Sequence, residues 1–383
     1  LSFMPAFYWF TTEGIEGRFE AFNEVNPNRE VTAAHNYDRQ SQLDGLLNYD
    51  KSIGKHNFNA VFGASYVNRY EYRMSGSGRG APTDYIKTLN ATAPETQRIT
   101  SRERTDIMMS YFGRVTYDYN KRYMVAASLP RDGSSRFADE NKWGLYPGVS
   151  AGWNMHNEKF WAPIEPFVQK FKLRSSWGQT GNNEIDPLDS QGGYAAGYTY
   201  GGEVGILNTI LANNTLVWET TTSFDAGVEI GLFNNRLGIN IDYYNKITSD
   251  RIFDKPLDGS TGFATIKSNY GSIRNRGIDI EIEATPIRTR NFSWTLNANY
   301  SFIRSTVLKL PATAEDKNRI GGNTIYDPIS GEYVRVGGLA EGERFGGRWA
   351  YHLIGVYATD EDAKNAPYDV EAAGRLKVGG DAI

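Results

Sequence analysis

The chain has 383 residues, with 41 Lys plus Arg against 45 Asp plus Glu and a formal net charge of -4. This near balance argues against a nucleic-acid-binding protein, which would carry a strong basic excess, and the lack of cysteine excludes disulfides and thiolate chemistry. Tyr (24 residues) and Gly (40 residues) are abundant, which favours strands joined by turns over helices. The chain contains no run of about 18 apolar residues, which a transmembrane helix would need, but a barrel strand needs only about 9–11 residues.

Segments of alternating apolar and polar residues follow one another along the chain, and each predicts a strand. They cover residues 57–66, 111–118, 223–232, 237–244, 278–283 and 292–302. Several run for about ten residues, which at roughly 3.3 Å per residue and a 45° tilt cross an apolar band of about 25 Å. We count about ten to twelve strands in all.

The predicted connections alternate between short and long. Short links lie near residues 52–55, 119–122, 233–236 and 287–291, and long polar links lie at 76–104, 131–142, 178–217, 246–276 and 304–338. Short turns on one rim and long loops on the other are the rule for outer-membrane barrels, whereas a soluble sandwich has no reason to keep that order. Aromatic residues that would form the interfacial girdles flank the short links or follow them, namely Tyr117, Tyr119, Tyr123, Phe233, Tyr243 and Phe292, with Tyr66, Tyr70, Tyr72 and Trp294 as further candidates.

These patterns predict an all-β fold, a transmembrane antiparallel β-barrel with its apolar residues facing lipid and its polar residues facing the lumen. The polar set predicts a charged lumen lining made of Arg114, Arg174, Asp225, Glu229, Asp279, Glu281 and Glu283. We expect the two arginines to pair with carboxylates such as Asp225 or Glu229. Glu281 and Glu283 could in principle be the paired carboxylates of a glycosidase, but they lie within a strand, which favours a role in lining the lumen.

No motif predicts catalysis or a metal site. The four histidines are far apart in sequence, and no HExxH, calcium loop or nucleophile elbow is present. Gly76, Gly78 and Gly80 spell GxGxG, but no helix follows, so we expect a flexible loop rather than a dinucleotide site. The strongest binding candidates are Tyr194, Tyr198 and Tyr200 in a Tyr-rich loop at residues 192–202, although such residues also build ordinary barrel loops. The sequence therefore predicts no enzyme and no cofactor.

Several stretches, in order along the chain, carry a resemblance to a known family. They are YFGRVTYDYN (111–120), RYMVAASLPRDGSSRF (122–137), KWGLYPGVSAGW (142–153), FKLRSSWGQTGN (171–182), LVWETTT (216–222), FDAGVEIG (224–231), DYYNKITSD (242–250) and NRGIDIEI (275–282). Together they resemble the SusC/RagA-type TonB-dependent transporters of Bacteroidetes outer membranes. Pro130 departs from the family, which usually has a basic residue before Arg131.

The resemblance implies a 22-stranded barrel with an N-terminal plug, of which residues 1–383 would be about half and part of one barrel domain. It implies a SusD-like surface lipoprotein as a lid and the TonB–ExbB–ExbD system as the energy source, acting through an N-terminal box. We expect the plug, that box, the signal peptide and the closing strands to lie outside this chain. It also suggests a dimer of transporter–lid pairs and a glycan or oligopeptide substrate.

The resulting prediction is active import of a large nutrient across the outer membrane of a Gram-negative cell. Three alternatives remain at this point: a surface binding or adhesion barrel without transport, an outer-membrane hydrolase with its site on the rim, and a soluble glycan-binding sandwich. A TonB box upstream would separate import from adhesion, and solubility without detergent would favour the sandwich.

Overall fold

A computed structural model describes residues 2–19, 26–327, 331–347, 358–359 and 361. The strands are β1 (Ser2–Phe19), β2 (Val31–Ile53), β3 (His56–Gly78), β4 (Arg98–Tyr119), β5 (Tyr123–Ser128), β6 (Arg131–Ser134), β7 (Trp143–Leu145), β8 (Gly148–Asn154), β9 (Val168–Asn182), β10 (Gly193–Tyr200), β11 (Glu203–Ile210), β12 (Glu219–Leu232), β13 (Leu237–Pro256), β14 (Thr265–Arg288), β15 (Ser293–Lys309), β16 (Asn323–Asp327) and β17 (Glu332–Val336). One short helix, α1, spans Pro187–Gln191. Turns of 3₁₀ helix cover Leu89–Ala91, Pro94–Thr96, Asp139–Asn141, Met155–Asn157, Lys159–Trp161, Gly259–Thr261 and Asp316–Asn318.

Most strands belong to one antiparallel sheet of 13 strands, which confirms the predicted fold class. Its path runs β1-β2-β3-β4-β5-β8-β9-β12-β13-β14-β15, and the small hairpin β6–β7 attaches to β4. The path therefore holds eleven strands, within the predicted ten to twelve. Its two end strands do not pair with each other, so the described strands form an open, partial barrel wall.

The sheet has one apolar face, because the register aligns the alternating residues of neighbouring strands. One row of directly paired residues crosses eight strands and consists of Tyr119, Tyr123, Trp153, Leu173, Val228, Ile241, Ile280 and Tyr300. A second row contains Ala60, Val115, Ala127, Val149, Trp177 and Phe224. Many of these apolar side chains are exposed, Val149 by 53% and Tyr300 by 61%. Such a continuous exposed apolar face needs a covering phase, which for a barrel is lipid.

Aromatic rings cluster where the apolar face meets the short turns. Tyr119 stacks on Tyr123 at 6.5 Å between ring centroids, Tyr123 stacks on Trp153 at 6.2 Å, and Trp153 meets Phe160 edge-on at 6.5 Å. The turn that joins β12 to β13 is tight, since Phe233, Asn234 and Asn235 all adopt positive φ. The sequence-based assignment of Tyr119, Tyr123 and Phe233 to this rim agrees with these positions.

Several predicted loops are largely strand instead. The GxGxG segment is not a flexible loop, because Gly76 and Gly78 end β3, and a Cβ on Gly78 would collide with Thr92. The predicted link 246–276 is mostly strand as well, since β13 continues to Pro256 and β14 begins at Thr265. Strand pairing thus extends beyond the length that an apolar band requires.

The long connections share a small hydrophobic core, the rim cluster, made of Phe137, Tyr146, Ile185, Leu216 and Trp218. Leu216 is fully buried, and Phe137 stacks on Trp218 at 5.2 Å. The indole N–H of Trp218 also donates to the Lys142 carbonyl at 3.1 Å. Residues from four separate connections are thereby packed together at the long-loop rim. In the part of the chain that the structure describes, no helix is long and apolar enough to cross a membrane.

Candidate functional site: the polar face and the long-loop rim

The face opposite the apolar one is polar, and it carries all seven residues predicted to line a lumen. One row of paired residues contains Asn59, Thr116, Ala126, Ser150, Ser176 and Asp225. The next contains Gly152, Arg174, Gly227, Asp242, Asp279 and Ser301. A hollow of about 620 Å³ opens here, lined in part by Arg114, Arg174 and Asp225.

An ion-pair network crosses β9, β12 and β13 on this face. Glu229 lies 2.8 Å from the Lys170 ammonium, 3.1 Å from that of Lys172 and 3.4 Å from the Arg174 guanidinium. Arg174 also pairs with Asp242 at 2.6 Å. Glu229 is only 17% exposed, so three cations offset the cost of its burial.

Gly227 lies in the middle of this network, and its lack of a side chain lets the network form. Gly227 pairs with Arg174 on one side and with Asp242 on the other. A Cβ on Gly227 would collide with an Asp242 carboxylate oxygen and approach the Arg174 Nε to 3.2 Å. The Arg174–Asp242 pair therefore spans an intervening strand through the space above this glycine.

The predicted pairing of the arginines is right for Arg174 and wrong for Arg114. Arg114 is exposed and has no ion pair or hydrogen bond within the described ranges, because Val61 and Ser128 are its neighbours across the sheet. Sequence reasoning also left out Lys170, Lys172 and Asp242. The alternation of basic residues at 170, 172 and 174 was the available signal, since these positions share one face of a strand.

The remaining predicted acids continue the polar face toward β15. Asp279 lies directly opposite Asp242 on the neighbouring strand, and Glu281 accepts a hydrogen bond from the Asn240 side-chain amide at 3.2 Å. Glu283 lies opposite Gly238. These carboxylates are spread along one strand and meet no catalytic partner there.

The three predicted binding tyrosines lie on the long-loop rim, in an exposed hairpin rather than a loop. Tyr194, Tyr198 and Tyr200 belong to β10, which among the described strands pairs only with β11, and a bulge at Gly197 interrupts the pairing. Their exposures are 72%, 51% and 90%. The hairpin carries further exposed apolar side chains and a single charged residue, Glu203. An exposed aromatic surface of this kind is typical of a recognition surface.

Ionisable groups at the rim have shifted pKa values. Burial raises the pKa of Asp189, which also accepts a hydrogen bond from the Asp186 backbone N–H at 3.2 Å as part of the α1 capping box. A hydrogen bond from Arg319 at 2.7 Å lowers the pKa of Glu343. Arg319 is only 6% exposed, so this pair fixes the connection that follows β15.

A wall of long antiparallel strands with opposite apolar and polar faces defines an outer-membrane-type β-barrel. Comparison with known proteins agrees: the family described as "TonB dependent receptor-like, beta-barrel" matches residues 5–379. The chain belongs to this family, whose barrels lie in the outer membrane.

Similar proteins cover much of the chain. TonB-dependent receptor P39 of Formosa agariphila is 32% identical over 377 residues, which are 95% of this chain and 34% of that protein. TonB-dependent receptor SusC of Bacteroides thetaiotaomicron is 30% identical over 294 residues, 73% of this chain and 29% of that protein. The chain thus spans about a third of the length of these relatives.

The fold is also similar to solved structures. The RagAB peptide importer in its closed-closed state matches with a TM-score of 0.74 and 21% identity, over 100% of this chain and 40% of the other. A second RagAB structure, described as a peptide transporter, matches with a TM-score of 0.72 and 24% identity over 80% of this chain and 34% of the other. At these identities the likeness establishes the fold.

Proposed function

We propose that this chain forms part of the wall of a TonB-dependent importer that moves a large nutrient, an oligosaccharide or an oligopeptide, across the outer membrane. The observation that carries the proposal is the two-faced sheet: a continuous apolar face for lipid and a polar face with the Lys170–Glu229–Arg174–Asp242 network. Membership in the TonB-dependent family supports the energy source.

In this function the chain breaks no bond. The exposed tyrosines Tyr194, Tyr198 and Tyr200 contact substrate at the extracellular rim, where stacking on sugar rings or peptide side chains needs accessible aromatic faces. The polar face, with Arg114, Arg174, Asp225, Glu229, Asp279, Glu281 and Glu283, lines the lumen. Its charges keep the wall hydrated and hold it against the plug segment of the complete protein.

The partners follow from the same proposal. A SusD-like surface lipoprotein covers the long-loop rim, and TonB–ExbB–ExbD acts on the N-terminal part of the complete protein. Support comes from relatives that include a SusC and from likeness to the RagAB peptide importer. A dimer of transporter–lid pairs is the assembly we propose to test by mass measurement in detergent.

Energised uptake separates import from mere binding. Cells that depend on the full-length protein are given fluorescent oligopeptides or oligosaccharides, and periplasmic signal is measured with and without a protonophore. Import predicts periplasmic accumulation that the protonophore abolishes while surface binding persists. Surface binding without accumulation would refute import and favour the adhesion alternative.

A matched variant tests the rim. Replacing Tyr194, Tyr198 and Tyr200 together by Ser removes three exposed rings from a hairpin that stands apart from the rim cluster, so folding should be retained. We expect surface binding of the substrate to fall by roughly tenfold or more, the equivalent of about 1.4 kcal/mol. The control replaces the exposed Tyr85 and Tyr333, which lie on other connections, and should leave binding unchanged.

A further inference from the structure

Four arginines form a cluster on the outward face of the wall, on the long-loop side of its apolar rows. One apolar row of paired residues consists of Tyr243, Ile278 and Phe302. The row two residues closer to the long loops consists of Asn245, Arg276 and Arg304. The row after that consists of Ile247, Arg274, Thr306 and Arg344, the last joined to β15 by an antiparallel bridge. Because side chains alternate along a strand, the arginine cluster (Arg274, Arg276, Arg304 and Arg344) lies on the same face as the apolar rows.

The arginine cluster lies at the outer edge of the apolar band. On β15 the outward side chains run from Trp294, beside the short turn, through Tyr300 and Phe302 to Arg304. Arg304 follows Trp294 by ten residues, which is a rise of about 33 Å along the strand and about 23 Å across a membrane at a 45° tilt. An apolar band is about 25 Å high, so the arginines lie at the level of the outer-leaflet headgroups.

Among the residues that the structure describes, no acid neutralises the arginine cluster. Its four side chains make no ion pair or hydrogen bond within the described ranges, and three of them are exposed. The two rows that hold the arginines contain no carboxylate. Glu343, next to Arg344 in sequence, is already paired with Lys317 at 3.1 Å and with Arg319 at 2.7 Å. The cluster therefore presents unbalanced positive charge toward the lipid.

The pairing of two of these arginines is costly without a ligand. Arg276 and Arg304 lie directly opposite each other on β14 and β15, where Cβ atoms are roughly 5 Å apart and like charges destabilise a sheet. A second pair of arginines in the wall, Arg104 and Arg136, shares Asp106, at distances of 2.9 Å and 3.2 Å. The Arg276–Arg304 pair requires an equivalent anion, and the described residues do not supply one.

An unsatisfied donor lies in the same cluster. The Nε of Arg274 is buried and has no hydrogen-bond partner among the described atoms, which is unfavourable for a charged donor. Arg274 is two residues from Arg276, roughly 7 Å along the strand, so the two guanidinium groups can converge on one acceptor. The Asn245 amide and the Thr306 hydroxyl, in the same two rows, are further donors. Together these groups suit an anion with several acceptor oxygens.

We propose that the arginine cluster binds the phosphate group of an outer-leaflet lipid. A phosphate presents several oxygens to guanidinium groups, which bind it in bidentate fashion, and long arginine stems lie along apolar surface while their charged ends reach the headgroups. The neighbouring row of Tyr243, Ile278 and Phe302 is 42%, 42% and 53% exposed. Acyl chains attached to the same phosphate cover that row, whereas free phosphate would leave it uncovered. The site lies on the outside of the wall, so it is independent of the imported nutrient.

Native mass spectrometry of the full-length protein in detergent tests the ligand class. Protein freed of bound lipid is titrated with lipid A and with the same lipid A after its phosphates have been removed. We expect the phosphorylated form to bind at least about tenfold more tightly, because hydrogen bonds between guanidinium and phosphate are charge-assisted. Equal binding of the two forms would overturn the proposal. Displacement of lipid A by equimolar inorganic phosphate would show that the site takes the free ion and would refute the lipid as its ligand.

A double variant tests the location of the site. Arg276→Gln with Arg304→Gln removes two charges and the repulsion between them, so folding should be retained, and the folded band in semi-native electrophoresis checks this. We expect the preference for phosphorylated lipid A to fall by about tenfold. The control, Arg98→Gln with Arg102→Gln, makes the same charge change at exposed residues of β4 on the side of the polar face, and it should bind as wild type does. An undiminished preference in the Arg276 and Arg304 variant would refute the assignment.

Arginine footprinting tests the same site without a variant. The full-length protein in nanodiscs, with or without lipid A, is labelled with phenylglyoxal, which reacts with accessible guanidinium groups, and the labelling is measured by mass spectrometry. We expect lipid A to protect Arg276, Arg304 and Arg344 by roughly threefold or more, with dephosphorylated lipid A giving no protection and Arg98 unchanged throughout. Equal labelling of the cluster with and without lipid A would contradict the proposal.

Discussion

The rim cluster makes the long connections a folded part of the protein, and Leu216→Ala tests how much of their order depends on it. Leu216 is fully buried among Phe137, Tyr146, Ile185 and Trp218. Truncating such a leucine removes its transfer free energy and leaves a cavity, which together cost about 3 kcal/mol. Because the cluster joins connections rather than membrane strands, we expect this cost to appear as local opening of the rim, with the sheet intact.

Hydrogen exchange measures that opening. The reporting amides are those of Asn213, which donates to the Asp189 carbonyl at 3.0 Å, and of Val217, which donates to the Asn269 side chain at 2.9 Å. A loss of about 3 kcal/mol raises their exchange by roughly 150-fold when opening precedes exchange. Amides in β12 and β13 should keep their wild-type rates.

The same substitution at an exposed site is the control. Leu207 lies in β11 and is 49% exposed, so Leu207→Ala should change stability by less than about 0.5 kcal/mol. Equal exchange rates at the reporting amides in the two variants would refute the claim that the rim cluster orders the connections.

Four further substitutions address other parts of the structure. Tyr146→Phe removes a buried hydroxyl that has no partner among the described residues, so it should leave the stability of the rim unchanged or raise it by up to about 1 kcal/mol. Gly181→Ala should lower that stability by about 1–3 kcal/mol, because its Cβ would collide with the same hydroxyl. Hydrogen exchange at the Asn213 and Val217 amides distinguishes the two outcomes. Glu343→Gln should destabilise the connection after β15 by about 2 kcal/mol, because buried Arg319 loses its carboxylate partner. Since the pKa of Glu343 is lowered in the folded protein, the wild-type ion pair contributes fully above the unfolded pKa of about 4.3, and its contribution declines as pH falls below that value. Pepsin cleavage between pH 5 and pH 3 should reveal the destabilisation and its pH dependence, and pH-independent cleavage of this connection would contradict the pH dependence. Glu229→Gln should lower the temperature at which the folded band disappears in semi-native electrophoresis, because three cations lose their shared anion, and an unchanged transition would show that the network contributes no stability.

Local alternation predicts the fold of this chain well, because one face of each strand must be apolar for the wall to be covered by lipid. The pairing of Ile241 with Val228 and Ile280 follows from that requirement, since a one-residue slip would turn every side chain to the other face. The length of β13 and β14 does not follow from it. Above the apolar band, alternation is no longer needed, and pairing continues only because backbone groups still require partners.

Tertiary features escaped prediction for a different reason. The rim cluster joins Phe137, Ile185 and Leu216, residues separated by dozens of positions in connections that carry no periodic pattern. The missing partner of Arg114 is equally invisible in sequence, since only the register shows that Val61 and Ser128 flank it. The tyrosines of β10 were identified by composition alone, and their role in binding stays a prediction.

The most direct test of the central claim is the alternation of environment along a single strand of the wall. Spin labels are attached to single cysteines at Ile239, Asn240 and Ile241 in the full-length protein in lipid nanodiscs, and their collision rates with oxygen and with a water-soluble nickel chelate are compared. The account predicts that the labels at Ile239 and Ile241 favour oxygen, dissolved in lipid, and that the label at Asn240 favours the nickel chelate. The same preference at all three positions, or the reverse order, would contradict a barrel wall with lipid on one face and an aqueous lumen on the other.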